Sequence, residues 1–277
     1  MLENSHTAAA VIGHPIAHSR SPMIHNHWLS KYNLPGIYEA IDVDPAHLAR
    51  FCRILRKSGL KGINVTIPHK EAIMAHCTHI DETAKKIGAV NTISVHNQEL
   101  YGTNTDAYGF IEHLKTSLPA FDISASRPLI LGAGGASRAV LYGLLEEGVK
   151  NITLTNRTQD KAKRLAHDFP QTTPAHWDVR SELIADHDLI INTTSLGMHK
   201  QPPLDIDLAN ISSKAVIYDL IYNPLQTSLM LQAETKGCRT IGGLGMLAYQ
   251  AQKAFEIWFG ITPDVTDTLM QRLEESL

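Results

Sequence analysis

Asn64, Thr66 and Lys70 are spaced so that an amide, a hydroxyl and an ammonium can meet one ligand. They lie in Asn64-Val65-Thr66-Ile67-Pro68-His69-Lys70. Ile63, Val65 and Ile67 alternate with Asn64 and Thr66, the pattern of a strand with one face buried. A residue before proline is held extended, and proline suits the first turn of a helix. The strand is therefore expected to stop at Ile67, with Pro68 opening a helix that runs on over residues 71–79. Lys70 would then sit on the first turn beside two polar strand residues. Such a set of groups suits a polyhydroxy or keto acid. An ordinary strand-to-helix junction with a solvated lysine competes with that reading.

Other polar residues fall at comparable positions. Gly13-His14-Pro15-Ile16-Ala17-His18-Ser19-Arg20-Ser21-Pro22 is rich in turn formers and small hydroxyls. Ser21 is expected to N-cap a helix with Pro22 at its first position. Ser19 is not needed for that cap and can point at a ligand beside a helix N-terminus, a place that favours anions. Asn91 stands among apolar neighbours, where a buried amide must find partners; position alone favours the backbone. Asp106 precedes a helix over 107–117, so capping is its simplest role. Gln250 lies on an apolar helix over 246–259.

The elements that would carry these residues alternate between strand and helix. Strands are expected at 8–12, 38–43, 62–67, from 88 onward, and again at 128–131, 151–155, 188–191 and 216–220. Alternation of this kind implies βαβ units and a largely parallel sheet, an α/β fold. Residues 118–127 form a polar, proline-containing link, after which the pattern restarts. The restart ends in Gly132-Ala133-Gly134-Gly135-Ala136-Ser137 and opens a helix closed by Gly148. A strand followed by a glycine-rich turn and a helix is the first βαβ unit of a dinucleotide-binding domain, with the pyrophosphate at the helix N-terminus. Ser137 stands at the third small position of G-x-G-x-x-G/A, a mild departure. Ligands of open α/β sheets lie beyond the carboxyl ends of strands. The tips carrying Thr193, Leu220, Tyr222, Gly243 and Met246 are therefore expected to line the nucleotide site. The next strand tip, Asn156-Arg157-Thr158, lacks the acid that bonds a ribose 2′-hydroxyl in NAD sites. Arg157 can fork onto a 2′-phosphate, Asn156 and Thr158 add neutral donors, and Lys161 follows one turn later. NADP is expected over NAD.

Composition narrows the class. The 277 residues are 43% hydrophobic and 19% charged, enough for one large or two ordinary domains. A net charge of -3 gives no electrostatic case for nucleic acid or an anionic membrane, and no apolar run reaches transmembrane length. The polar N-terminal residues 1–7 lack a signal-peptide pattern. Cys52, Cys77 and Cys238 form no paired motif and read as small buried apolar residues in a reducing, cytoplasmic compartment. The histidine pairs His14/His18, His25/His27 and His76/His79 are not joined by the Cys, Asp or Glu pattern of a zinc site, so no metal is expected.

Taken together, these motifs resemble the shikimate dehydrogenase family. The match runs in order along nearly the whole chain: Ser19-x-Ser21-Pro22, Asn64-Val65-Thr66-x-Pro68-x-Lys70, Ile87-Gly88-Ala89-Val90-Asn91-Thr92, Gly102-x-Asn104-Thr105-Asp106, Gly132-Ala133-Gly134-Gly135-Ala136, Asn156-Arg157-Thr158, Asn192-Thr193-Thr194, and Gly245-Met246-Leu247 with Gln250-Ala251. The resemblance implies reversible NADP-linked reduction of 3-dehydroshikimate to shikimate, in the aromatic amino-acid pathway. It implies an N-terminal α/β substrate domain of residues 1–106 with 247–277, a Rossmann-like NADP domain of 107–246, and an active site between them. Lys70 and Asp106 look like the catalytic pair. Ser19, Ser21, Asn64, Thr66, Asn91 and Gln250 look like the shikimate shell, with Tyr222 a further contact. The Gly242-Gly243 doublet before Leu244 is a second small departure. The resemblance leaves room for a homodimer, for a quinate/shikimate dehydrogenase of broader use, and for a ligand sensor without turnover. The intact Lys70 and Asp106 speak against the sensor. A carbonyl that accepts hydride becomes an alkoxide, which a lysine can stabilise and protonate while a carboxylate orients both.

Overall fold

The computed structural model describes residues 7–277. Residues 1–6, part of the segment without a signal-peptide pattern, lie outside the described residues. The chain divides into two compact units. One takes residues up to Gly109 together with Ala248–Ser276, the other Phe110–Leu247. Each has its own six-stranded sheet.

In the first unit the strands are β1 (Thr7–Gly13), β2 (Ile37–Asp42), β3 (Gly62–Val65), β4 (His79–Ile80), β5 (Thr92–His96) and β6 (Glu99–Thr103). Their order is β2-β1-β3-β5-β6-β4. β1 pairs in parallel with β2 and β3, whereas β5 runs antiparallel to both β3 and β6. Parallel pairings outnumber antiparallel ones by three to two, so the sheet is mainly parallel as expected, with the antiparallel β5 inside it. The hairpin β5–β6 escaped the sequence reading because its turn, Asn97-Gln98, contains no glycine; both residues nevertheless adopt positive φ, 52° and 64°. Ala10, Ile12, Ile63 and Ile93 fill the core with no exposure.

β3 departs from expectation in a way that matters for Lys70. It ends at Val65 rather than Ile67, and all four of its residues are buried because it is a central strand with neighbours on both sides. Ile67 is 75% exposed, so it does not continue the buried face. Pro68 does not open a helix. The chain turns instead, with His69 N–H donating to the Thr66 carbonyl at 2.9 Å, and a short 3-10 helix follows at Ala72–His76. Lys70 therefore rides on a turn. Helices α1 (Ser21–Lys31), α2 (Leu48–Leu55), α3 (Glu82–Ile87) and α4 (Asp106–Ser117) complete this part of the chain. α3 follows the expected grammar. Asp81 caps it by accepting from Ala84 N–H, and Gly88 closes it at φ 75°.

The second unit holds β7 (Pro128–Leu131), α5 (Gly135–Glu146), β8 (Ile152–Thr155), α6 (Gln159–Asp168), β9 (Thr172–Ala175), α7 (Arg180–Leu183), β10 (Leu189–Asn192), β11 (Val216–Asp219), α8 (Ser228–Thr235) and β12 (Arg239–Gly242). All its strands are parallel, in the order β12-β11-β10-β7-β8-β9. Counted within the unit this is 3-2-1-4-5-6 read from the other edge, the doubly wound dinucleotide-binding order. The order reverses between β7 and β10, so the ligand crevice is expected beyond their carboxyl ends. β9 is a strand that the sequence reading lacked; Pro174 hides it, tolerated because β9 is the edge. α9 (Leu244–Phe259) and α10 (Asp267–Glu275) end the chain. Both changes of unit fall inside helices, α4 and α9. Among the described residues no helix is long and apolar enough to cross a membrane. Cys52 and Cys238 are buried, whereas Cys77 is only partly so, and all three are free thiols.

Candidate active site

In the first unit the turn after β3 brings Lys70 to the first residue of α4. Lys70 Nζ donates to Asp106 Oδ2 at 2.6 Å, and the two side chains keep 29% and 15% of their exposure. Val90 N–H donates to the Lys70 carbonyl at 2.8 Å, which ties the turn to the entry of β5. Asp106 is not an N-cap. Its own N–H donates to Asn104 Oδ1 at 2.9 Å, so Asn104 serves the helix start and frees the Asp106 carboxylate. The other carboxylate oxygen accepts from Asn91 Nδ2 at 2.8 Å. Asp106 is the partner of one Lys70 N–H, which leaves two of the ammonium's three donors for a ligand.

Asn91 and Asn64 are both buried, at 2% and 5% exposure. Asn91 meets backbone and side chains alike. Its Oδ1 accepts from Thr105 N–H at 2.8 Å, and its Nδ2 reaches Asp106 and, at 3.5 Å, Gln250 Oε1. Asn64 Oδ1 accepts from the Tyr38 hydroxyl at 2.7 Å, and its Nδ2 donates to Thr92 Oγ1 at 3.1 Å. Thr66 is half-buried; its backbone is held by Ile12, and its methyl lies where a Cβ on Gly13 would come within 2.6 Å. The Thr66 hydroxyl has no partner among the described residues.

The serine loop exchanges the roles expected of its two hydroxyls. Arg20, not Ser21, occupies the N-cap position of α1, and no side chain caps that helix. Ser21 is the first helical residue and is 6% exposed. Its N–H donates to Ser19 Oγ at 3.3 Å, so Ser19 supports the helix start. The loop is fixed from below by Asp42, which takes His14 Nδ1 at 2.6 Å on one oxygen and Ile16 N–H at 3.2 Å on the other. That hydrogen bond with Asp42 raises the His14 pKa above its usual value. Lys70, Asp106, Asn91, Asn64 and Gln250 thus form one bonded group. Tyr38, Thr92, Asn104 and Thr105 belong to the same group and were not singled out in the sequence. Three of them sit inside the quoted motifs, beside residues that were. Tyr38 carried no signal beyond its place in an expected strand.

In the second unit the glycine-rich turn runs from β7 to α5 at the switch point. Gly132 has φ 116°, and a Cβ there would lie 2.6 Å from Thr193 Oγ1, so both its conformation and its neighbour demand glycine. A Cβ at Gly134 or Gly135 would meet no protein atom within 4 Å. That open side, at the first turn of α5, is where a pyrophosphate can approach the backbone N–H groups. Ser137, the departure from the glycine pattern, is fully buried and ties the turn together. Its hydroxyl donates to the Gly132 carbonyl at 2.8 Å, accepts from Gly134 N–H at 3.1 Å and lies 2.7 Å from Thr193 Oγ1. Ala136 follows Gly135 on the same turn of α5. Asn156 is used inward: its Oδ1 accepts from Ala133 N–H at 3.1 Å, and its Nδ2 donates to the Thr158 carbonyl at 2.9 Å. It braces the turn rather than standing free for a phosphate. Arg157, Thr158 and Lys161 are exposed, and Arg157 forms no ion pair among the described residues. Leu220 N–H donates to the Asn192 carbonyl at 3.0 Å. A Cβ on Gly243 would sit 2.0 Å from the Leu220 carbonyl oxygen, which accounts for the second glycine of the doublet. Tyr222 and Met246 lie beyond β11 and on α9, both half-buried. The residues present fit a dinucleotide.

Comparison with known proteins gives a consistent result. Residues 11–93 match the family model of the shikimate dehydrogenase substrate binding domain, 113–204 that of shikimate / quinate 5-dehydrogenase, and 243–274 that of the shikimate 5′-dehydrogenase C-terminal domain. The shikimate dehydrogenase (NADP(+)) of Nitrobacter winogradskyi is 46% identical over 276 residues, covering 99% of this chain and 98% of its own. That of Rhodopseudomonas palustris is 45% identical over 275 residues, 99% of this chain and 98% of its own. Among solved structures, the Thermus thermophilus shikimate 5-dehydrogenase in complex with NADP(H) and shikimate is 35% identical with a TM-score of 0.88, covering 98% of this chain and 100% of its own.

Proposed function

This chain belongs to the shikimate dehydrogenase family, and from that premise we propose that it reversibly reduces 3-dehydroshikimate to shikimate with NADPH in aromatic amino-acid biosynthesis. The observation that carries the reading is the Lys70–Asp106 pair at 2.6 Å with Asn91 on the second carboxylate oxygen. NADPH, when bound, supplies the hydride. The protein's own residues handle the proton and the hydroxyls. Lys70 offers its free N–H donors to the substrate oxygen that becomes an alkoxide, stabilises that charge and delivers the proton. Asp106 holds the ammonium in place and accepts from a neighbouring substrate hydroxyl. Asn64, Thr66, Asn91 and Gln250 bind further hydroxyls, and Ser19 and Ser21 take the carboxylate at the start of α1. A site made of such bonds rejects analogues that lack them, because its buried polar groups are then left unpaired.

The cofactor side rests on the second unit. Gly132, Ala133, Gly134, Gly135 and Ala136 would hold the pyrophosphate; Arg157, Thr158 and Lys161 the 2′-phosphate; and Thr193, Leu220, Gly243 and Met246 the remainder, with Tyr222 reaching substrate. Residues 1–106 with 247–277 serve as substrate domain and 107–246 as NADP domain. Three free thiols accord with work in the reducing cytoplasm. The decisive experiment is the absorbance of NADPH formed on adding shikimate to the purified protein with NADP. No NADPH above background, in protein shown to be folded, would refute the assignment. Sedimentation at assay concentration decides between monomer and homodimer.

A further inference from the structure

We propose that Tyr38 and Thr92 are positioning residues of the active site, which set the direction of an unbroken hydrogen-bond chain through Asn64 and Asn91 to Asp106. Two backbone groups establish that direction. A carbonyl can only accept, so the Asn64 atom 3.3 Å from the Asn91 carbonyl is Nδ2. A backbone N–H can only donate, so the Asn91 atom 2.8 Å from Thr105 N is Oδ1. Both carboxamides are thereby oriented by their surroundings rather than by assignment.

Everything else follows from these two. Asn64 turns Oδ1 to the Tyr38 hydroxyl, which must donate, at 2.7 Å. Asn64 Nδ2 donates to Thr92 Oγ1 at 3.1 Å, and Thr92 Oγ1 donates to Asn91 Oδ1 at 2.9 Å. Asn91 Nδ2 donates to Asp106 Oδ1 at 2.8 Å, while Lys70 donates to the other oxygen. Every bond points the same way, and the catalytic carboxylate is the terminal acceptor. Thr92 touches both asparagines, accepting from Asn64 and donating to Asn91. Tyr38 donates to Asn64 through its hydroxyl.

Tyr38 is built to hold that place. It is 2% exposed, and its backbone is clamped by Asn26, whose Nδ2 donates to the Tyr38 carbonyl at 2.9 Å and whose Oδ1 accepts from Tyr38 N–H at 2.8 Å. Its ring lies flat on His25, centroids 4.2 Å apart and planes 8° from parallel. His25 is fully buried, and its ring nitrogens make no hydrogen bond among the described residues. Burial lowers the His25 pKa to about 3, so the imidazole is a neutral plate under Tyr38 at any working pH. Burial also drives the Tyr38 pKa well above its ordinary value, with the Ser21 hydroxyl opposing, so the phenol keeps the proton it donates. The chain therefore starts from a donor that does not titrate and ends on the residue that orients the lysine. With Oδ1 committed to Tyr38 and the two Nδ2 hydrogens to the Asn91 carbonyl and Thr92 Oγ1, Asn64 is held in a single orientation.

The inference rests on the shikimate dehydrogenase reading and is tested in the intact protein by steady-state kinetics. Tyr38→Phe keeps the ring and its stacking but removes the donor. It is expected to raise KM for shikimate about five- to tenfold, the worth of one orienting hydrogen bond, while KM for NADP and kcat change less than about twofold. Thr92→Val cuts the link between the asparagines and is expected to raise KM for shikimate and lower kcat, each about fivefold. Thr92→Ser restores the hydroxyl and should bring both back to within about twofold of the parent, a rescue that a purely structural threonine would not show. A Tyr38→Phe enzyme with the parent's KM for shikimate, or with KM for NADP raised equally, overturns the proposal. Should Thr92→Val fail to fold, the Tyr38→Phe measurement decides alone. Absence of shikimate turnover in the parent would sink the functional reading and this proposal with it, whereas an active parent with an unchanged Tyr38→Phe variant would sink only the positioning role.

Discussion

Replacing Lys70 with alanine tests the proposed chemistry at its centre. The substitution removes the ammonium that sits 2.6 Å from Asp106 and leaves that carboxylate with its Asn91 and ligand contacts. Two consequences have separable sizes. The structural one is modest: the lysine side chain keeps 29% of its exposure, so water can replace it, and the loss is on the order of 1 kcal/mol rather than that of a fully buried pair. The catalytic one is large. A positioned general acid contributes about a hundredfold to ten-thousandfold, or roughly 3–5 kcal/mol in the barrier. The rest of the polyol site is left intact, so KM for shikimate should rise less than about tenfold. The assay is initial-rate NADPH formation over a range of shikimate concentrations, beside a thermal melt of the same preparation. Turnover within about fivefold of the parent would remove Lys70 from the proton step. A collapse of the melt would show that the pair is structural.

The remaining predictions address anchoring, cofactor choice, packing and pH. Ser19→Ala should raise KM for shikimate with kcat comparatively unchanged, and unaltered kinetics would leave Ser19 as support for α1 only. Arg157→Ala should raise KM for NADP by about tenfold or more with little change for NAD, and added salt should weaken NADP binding in the parent; equal effects on both cofactors would refute the clamp. Gly243→Ala must move the Leu220 backbone, since its Cβ would lie 2.0 Å from the carbonyl oxygen, and is expected to cost on the order of 3 kcal/mol in a melt. Burial raises the Asp219 pKa from 3.8 to about 6, so the folded state binds this proton more tightly than the unfolded chain, and the contribution falls as pH rises from about 4 to 6. The parent-minus-Asp219→Asn stability difference should therefore fall by up to about 3 kcal/mol across that window, and a flat difference would contradict it.

Much of the fold was legible because its signals are local. Asp81 and Gly88 bracket α3 in the sequence as they do in space, and the glycine turn announces the doubly wound unit. What was not legible depends on partners distant in the chain. Pro68 permits either a helix start or a turn, and the Thr66 carbonyl, reached by His69 N–H, selects the turn. Ile67 fits a buried alternation, yet the strand has already ended and the residue lies 75% exposed. Ser21 reads as a cap by type and spacing, but Arg20 takes that position and Ser19 supplies the hydroxyl. The group around Asp106 shows the same divide. Asn91 and Asp106 stand out as polar residues in apolar or helix-start contexts, whereas Tyr38 belongs to the group only through Asn64, 26 residues away.

The two units solve the same problem in the same way. Each must present donors to a ligand from backbone that would otherwise collapse onto itself, and each spends buried side chains on holding that backbone. In the second unit Ser137 and Thr193 brace Gly132, and Asn156 reaches Ala133, so the turn is fixed from within while Gly134 and Gly135 stay open. In the first, Asn104 serves the start of α4 so that the Asp106 carboxylate can face Lys70. The residues that brace are buried and mutually bonded, whereas Arg157 and the Thr66 hydroxyl have no protein partner among the described residues. A side chain already saturated inside the protein has little left for a ligand, and one without a protein partner gains the full bond when a ligand arrives. Asn156 is therefore expected to act on cofactor affinity through the shape of the turn, so that Asn156→Ala weakens NADP and NAD alike. A loss confined to NADP would mean that Asn156 touches the 2′-phosphate after all.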